Sequence, residues 1–80
     1  MTHHVTLLES TKRANMQTRP DYDVYVNGVF VGNIYFNLTG YVGYLPLPGG
    51  KKFNIGERSL AAYKKEIAII NREAKLEVGP

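Results

Sequence analysis

Three places in this chain hold residue types that chemistry could use: His3-His4, Asp21 with Asp23, and Gly49-Gly50-Lys51-Lys52. Adjacent histidines could begin a metal site. Neighbouring side chains point apart, however, and no Cys, third His or well-placed carboxylate completes a ligand set. They read as a solvated pair, and no metal is expected. Asp21 and Asp23 are two apart and share a face of an extended strand. Paired carboxylates do acid–base work when they converge with a second set across a cleft, and nothing else in the chain supplies that set. They read as solvated residues at the start of a strand. Gly49-Gly50-Lys51-Lys52 before a helix could hold an anion through backbone amides and the helix dipole. The P-loop pattern is absent, so a flexible loop with solvating lysines is the stronger reading. No spacing of Tyr, Ser or Lys forms a nucleophile, base and orienter. The expectation is a protein that is not an enzyme and that has no cofactor.

The remaining set is aromatic: Tyr25, Phe30 and Tyr35, extended by Tyr44. Tyr22 to Phe36 spells a β-hairpin that must position it. Asn27-Gly28 suits a type I′ turn, which needs positive φ at both central residues. That turn sets Val26 opposite Val29, Tyr25 opposite Phe30 and Val24 opposite Val31. Side chains alternate along a strand, so the four valines share one face. A bulge at Gly32-Asn33 then lets Ile34 and Phe36 join the valines. Tyr25, Phe30 and Tyr35 line the opposite face. Leu38-Thr39-Gly40 reads as the next turn. Tyr41 to Leu47 reads as a third strand, and Pro46 and Pro48 fit an edge position because Pro cannot donate to the ladder.

Only one long helix is available to cover this ribbon. Leu60, Tyr63, Ile67, Ile70 and Ala74 form one apolar stripe, and the spacing predicts a helix from about Ile55 to Lys75. Asn54 is its expected N-cap, with Glu57 completing a capping-box pattern. The stripe belongs against the valine face. The aromatic face is then left over. It is either a half-exposed packed surface, a surface covered by residues 1–16, or a contact surface for a partner.

Residues 1–20 read as an arm. Thr6-Leu7-Leu8-Glu9 fits a helix capping box in outline, and Val5-Thr6-Leu7 fits a short strand equally well. Ser10 to Arg19 is polar without clear period and ends at Pro20. The expected architecture is therefore α+β: a three-stranded antiparallel sheet packed on one C-terminal α-helix, with an irregular N-terminal arm over residues 1–20. Residues 21–78 form the single β-β-β-α domain.

Size and charge bound the rest. Eighty residues make one domain that buries only roughly 60–65% of its unfolded surface. There is no Cys to reinforce it. No stretch approaches the roughly 18 apolar residues that span a bilayer, nor does the N-terminus carry a signal-peptide run. A soluble cytoplasmic protein is the expectation. The net charge is +3, and no Lys or Arg occurs between Pro20 and Lys51. Any attraction to phosphate must come from the two ends.

The order of elements, with Tyr22-Asp-Val-Tyr-Val-Asn-Gly-Val-Phe-Val-Gly as first hairpin and Ser59-Leu-Ala-Ala-Tyr opening the helix, resembles the AP2 domain and the arm-binding domains of some phage and transposon integrases. The likeness covers about residues 22–75. It implies a three-stranded sheet with one helix, and DNA binding through Arg and Trp on the open sheet face. This chain has no Trp and no basic residue on those strands, so no DNA-contacting residue is carried over.

Two functions follow as expectations. In the first, a small non-enzymatic binding protein contacts another protein or a second copy of itself through Tyr25, Phe30, Tyr35 and Tyr44. Many phage and mobile-element accessory proteins that inhibit or adapt a host enzyme share this size and texture. In the second, an AP2-like domain binds nucleic acid. Arg13, Arg19, Lys51, Lys52, Lys64 and Lys65 would then contact phosphates, and the aromatic face would stack unpaired bases.

Overall fold

The computed structural model describes residues 3–10 and 19–78, with side chains as far as residue 74. Among these residues lie six strands and one α-helix. They are β1 (Val5–Glu9), β2 (Tyr22–Val26), β3 (Val29–Asn37), β4 (Gly40–Gly43), β5 (Leu45–Pro46), β6 (Lys52–Phe53) and α1 (Leu60–Val78). The α+β class stands, with antiparallel sheets and one C-terminal helix. The main sheet, however, has four strands in the order β1-β2-β3-β4 rather than three.

The extra strand comes from the segment read as an irregular arm. β1 pairs antiparallel with β2, from Val5 opposite Val26 to Glu9 opposite Tyr22. Thr6-Leu7-Leu8-Glu9 is therefore strand and not a helix start. His4 accepts a backbone hydrogen bond from Asn27 N at 2.9 Å. Alternation then turns the backbone of Val5 away from β2, toward the outer edge. There the side chain of Asn71, on α1, takes the place of a further strand. Val5 N donates to Asn71 Oδ1 at 2.8 Å, and Asn71 Nδ2 donates to Val5 O at 3.0 Å. A backbone pair that would sit unpaired on a sheet edge is satisfied from the far end of the chain.

The β2–β3 hairpin forms at Asn27-Gly28 as the residue types require, with φ of 51° and 83°. Its bulge lies elsewhere than expected. Tyr25 faces Phe30 but Val24 faces Gly32, so Val31 is the inserted residue. Val31 does not join Val24, and both Val29 and Val31 are exposed at the hairpin tip. Gly32 has no side chain to pack opposite Val24, so the slip at Val31 keeps Ile34 on the inner face, paired with Tyr22.

The expected strand Tyr41–Leu47 is two strands. β4 ends at Gly43, where φ is +149° and an added Cβ would meet Ile34 Cγ2 at 2.7 Å. The chain turns away and β5 pairs with β6 in a separate two-stranded sheet, closed by the tight turn Pro48–Gly50. The outer edge of β4 is in turn covered by Arg58. Tyr41 N donates to Arg58 O at 2.6 Å, and Arg58 N donates to Tyr41 O at 3.1 Å.

That bridge also explains why the helix starts late. Residues 55–58 are held in non-helical backbone by the bridge and by Gly56, whose φ is +84°. Asn54 is not the N-cap: its Oδ1 accepts from Gly56 N at 2.6 Å and closes a local turn. Ser59 caps instead, its Oγ accepting from Ala62 N at 3.2 Å. The expected stripe is correct. Tyr63, Ile67 and Ile70 are buried with Val5, Val24, Ile34, Tyr41 and Leu45, and Leu60 packs at the margin. No helix among the described residues is long and apolar enough to cross a membrane.

Candidate functional site

The pairing of strands settles which side chains share the outer side of the main sheet. Thr6 faces Tyr25, and Tyr25 faces Phe30, making one row across three strands. Leu8, Asp23 and Asn33 make the next row. Tyr35 and Val42 complete the face on β3 and β4. The helix lies on the opposite side, among the buried residues of the core.

Three of the four expected contact residues are wide open, with exposures of 56% for Phe30, 46% for Tyr35 and 57% for Tyr44. Tyr25 is half-buried because Phe30 leans on it, the rings meeting edge to face with centroids 5.9 Å apart. Tyr44 lies between β4 and β5, next to the face and not on a strand of it. Leu8 is a member that sequence reading missed. It reaches the face only because β1 joins the sheet, and its alternation with Val5 and Leu7 was the available signal. β1 itself runs beside β2 in the plane of the sheet, so Val5–Glu9 does not lie across the rings.

Electrostatically the face is poor in cations. Asp23 is the one charged residue among the outer-face positions, which carry neither Lys nor Arg. The expected phosphate contacts sit elsewhere. Lys51 and Lys52 are exposed at the turn into β6, and Lys64 and Lys65 are exposed on α1. Arg19 lies over the Phe36 ring at 4.7 Å, a cation–π contact on the core side of the sheet. Arg13 lies outside the described residues. Gly49 to Lys52 does not lead into a helix, since α1 begins at Leu60, so no helix dipole faces that loop.

The two tyrosines whose hydroxyls are pushed above their ordinary value are core residues, not members of the face. Burial is the main cause for Tyr41, reinforced by Tyr22 and opposed by Arg19. Burial also leads for Tyr63, opposed by Arg58. Tyr41 Oη donates to Pro20 O at 3.0 Å, and Tyr63 Oη donates to Gly56 O at 2.9 Å. Both hydroxyls fasten loops to the core.

The histidines are placed structurally. His3 Nε2 lies 3.0 Å from Pro46 O, a carbonyl that can only accept, so the ring donates. His4 N donates to Asn27 Oδ1 at 2.9 Å. Among the described residues no three His, Cys, Asp or Glu side chains converge on a common point. Comparison with known proteins found no matching family model, no matching curated protein and no matching solved structure.

Proposed function

We propose that this chain is a non-enzymatic binding domain that contacts another protein, or a second copy of itself, through the aromatic side of its sheet. One observation carries the reading. The helix covers one side of the sheet, while Phe30, Tyr35 and Leu8 stand exposed on the other with Tyr44 beside them. Large apolar side chains exposed together on one side of a small domain mark interaction surfaces. Tyr and Phe are enriched at the centres of such surfaces, and rings already held against each other lose little freedom on binding.

Charge favours a protein over nucleic acid as the partner. Phosphate affinity depends on Lys and Arg, and the aromatic face offers Asp23 in their place. The narrower role of a phage or mobile-element accessory protein that inhibits or adapts a host enzyme rests on size and texture alone.

The test compares the wild-type chain with the Tyr25→Ala, Phe30→Ala double variant. Circular dichroism confirms that the variant is folded. The wild type should retain a partner polypeptide from extracts of its source cells, or form a dimer by light scattering, and the variant should do neither. Full-strength binding by the folded variant removes the reading. A gel shift with nucleic acid that falls steeply as salt is raised would transfer it to polyanion binding.

A further inference from the structure

β3 is longer than the strand beside it. Ile34–Asn37 pairs with β4, whereas Val29–Asn33 has β2 on one side and no strand on the other among the described residues. β4 stops short because the chain turns away at Gly43. The two-residue turn makes Val26 and Val29 a hydrogen-bonded pair, so alternation aims the N–H and C=O of Phe30 outward, at the uncovered side. Along that side runs a groove of about 340 Å³, walled by Val31, Tyr35, Tyr44 and Pro46, with Lys52 as its one charged lining residue.

We propose that this edge of β3 takes up an extended segment of another protein as an added strand, with apolar side chains against Val31, Tyr35 and Tyr44 and a carboxylate at Lys52. The inference deepens the protein-contact function and rests on it. Outward main-chain groups beside an apolar groove select a strand, because only extended polypeptide offers donors and acceptors at matching intervals. The walls select apolar side chains at alternate positions. Lys52, with no acidic residue lining the groove, selects a negative charge. A second copy offering the same edge does not supply it, since residues 24–50 contain neither Asp nor Glu. Nucleic acid would find a single cation there and no main-chain complement.

The test uses a displayed library of random short peptides panned on the full chain. Enriched peptides should alternate apolar residues and share an Asp or Glu at a fixed position. A synthetic enriched peptide should lose about tenfold or more in affinity when its backbone is N-methylated at alternate residues, and again with Lys52→Glu. Lys52 is exposed, so that variant should melt at the wild-type temperature. Lys64→Glu, on the helix, should leave the affinity unchanged. No enrichment overturns the inference. Affinity that survives both N-methylation and Lys52→Glu also overturns it. If the Tyr25→Ala, Phe30→Ala variant still abolishes that binding, the contact function stands and strand addition alone has failed. A dimer of the wild-type chain that excludes the peptides overturns it in favour of self-pairing.

Discussion

Asn71 and Val5 are joined by both arms of one amide: Oδ1 accepts from Val5 N at 2.8 Å and Nδ2 donates to Val5 O at 3.0 Å. The side chain thereby imitates the neighbouring strand that β1 lacks. Asn71→Ala removes both bonds and leaves a buried residue with unpaired backbone groups. Each such bond contributes about 0.5–1.5 kcal/mol net, so the variant should lose about 1–3 kcal/mol in denaturant unfolding. The amide of Val5 should exchange with solvent faster while the amides of β3 keep their protection. Unchanged exchange at Val5 would show that the clamp contributes nothing.

Ser59, and not Asn54, starts the helix. Ser59→Ala should therefore cost about 1 kcal/mol and fray the first turn of α1. Asn54→Ala should leave the helical signal at residues 60–64 intact. Backbone chemical shifts distinguish the two outcomes, and residues 55–58 should show no helical shift in the wild type.

Leu38 carries a φ of 55° and is 84% exposed. A left-handed conformation costs an ordinary L-residue roughly 1–2 kcal/mol, and Asn adopts it more readily. With no packing to lose, Leu38→Asn should stabilise the chain by about 1 kcal/mol in chemical denaturation. A loss of stability would mean that Leu38 makes an apolar contact in the folded state.

Burial holds the hydroxyls of Tyr41 and Tyr63 above their ordinary value of 10.0. In the unfolded chain both ionise near that value, while in the folded chain they stay protonated to higher pH. The folded state then binds more protons above pH 10.0, so the stability these groups contribute is fully present and independent of pH below that value and is lost as pH rises above it. Melting temperatures across the alkaline range should decline more gently in Tyr63→Phe. That variant starts from a lower stability, by about 1 kcal/mol, because Gly56 O loses its donor. An equal alkaline slope in both proteins would rule out Tyr63 as a source of it.

Much of this architecture is written in local pattern. Asn27-Gly28 specifies its turn with backbone preferences alone, and the spacing from Leu60 to Ala74 specifies which side of the helix is buried. The outward placement of Tyr25, Phe30 and Tyr35 follows from the same alternation. What local pattern leaves open is decided by distant partners. Thr6-Leu7-Leu8-Glu9 suits a strand or a helix start until β2 and Asn71 are set beside it. Gly32 looks like the natural bulge, yet the extra residue is Val31, because pairing Gly32 with Val24 brings Ile34 into the core. Tyr41 to Leu47 reads as one strand, and only the positive φ of Gly43, packed close against Ile34, divides it between two sheets. Asn54 and Ser59 are both credible caps; the Arg58 bridge to Tyr41 excludes the first.

The amide clamp has a temporal consequence. Its two ends lie 66 residues apart, so β1 can be sealed only after α1 has been made and has docked. A nascent copy that has made its strands but still lacks its helix exposes both an unsealed margin and the greasy underside that the helix would cover. A chain truncated ahead of Leu60 should therefore aggregate more readily than the chain that keeps its helix, read as a rise in light scattering.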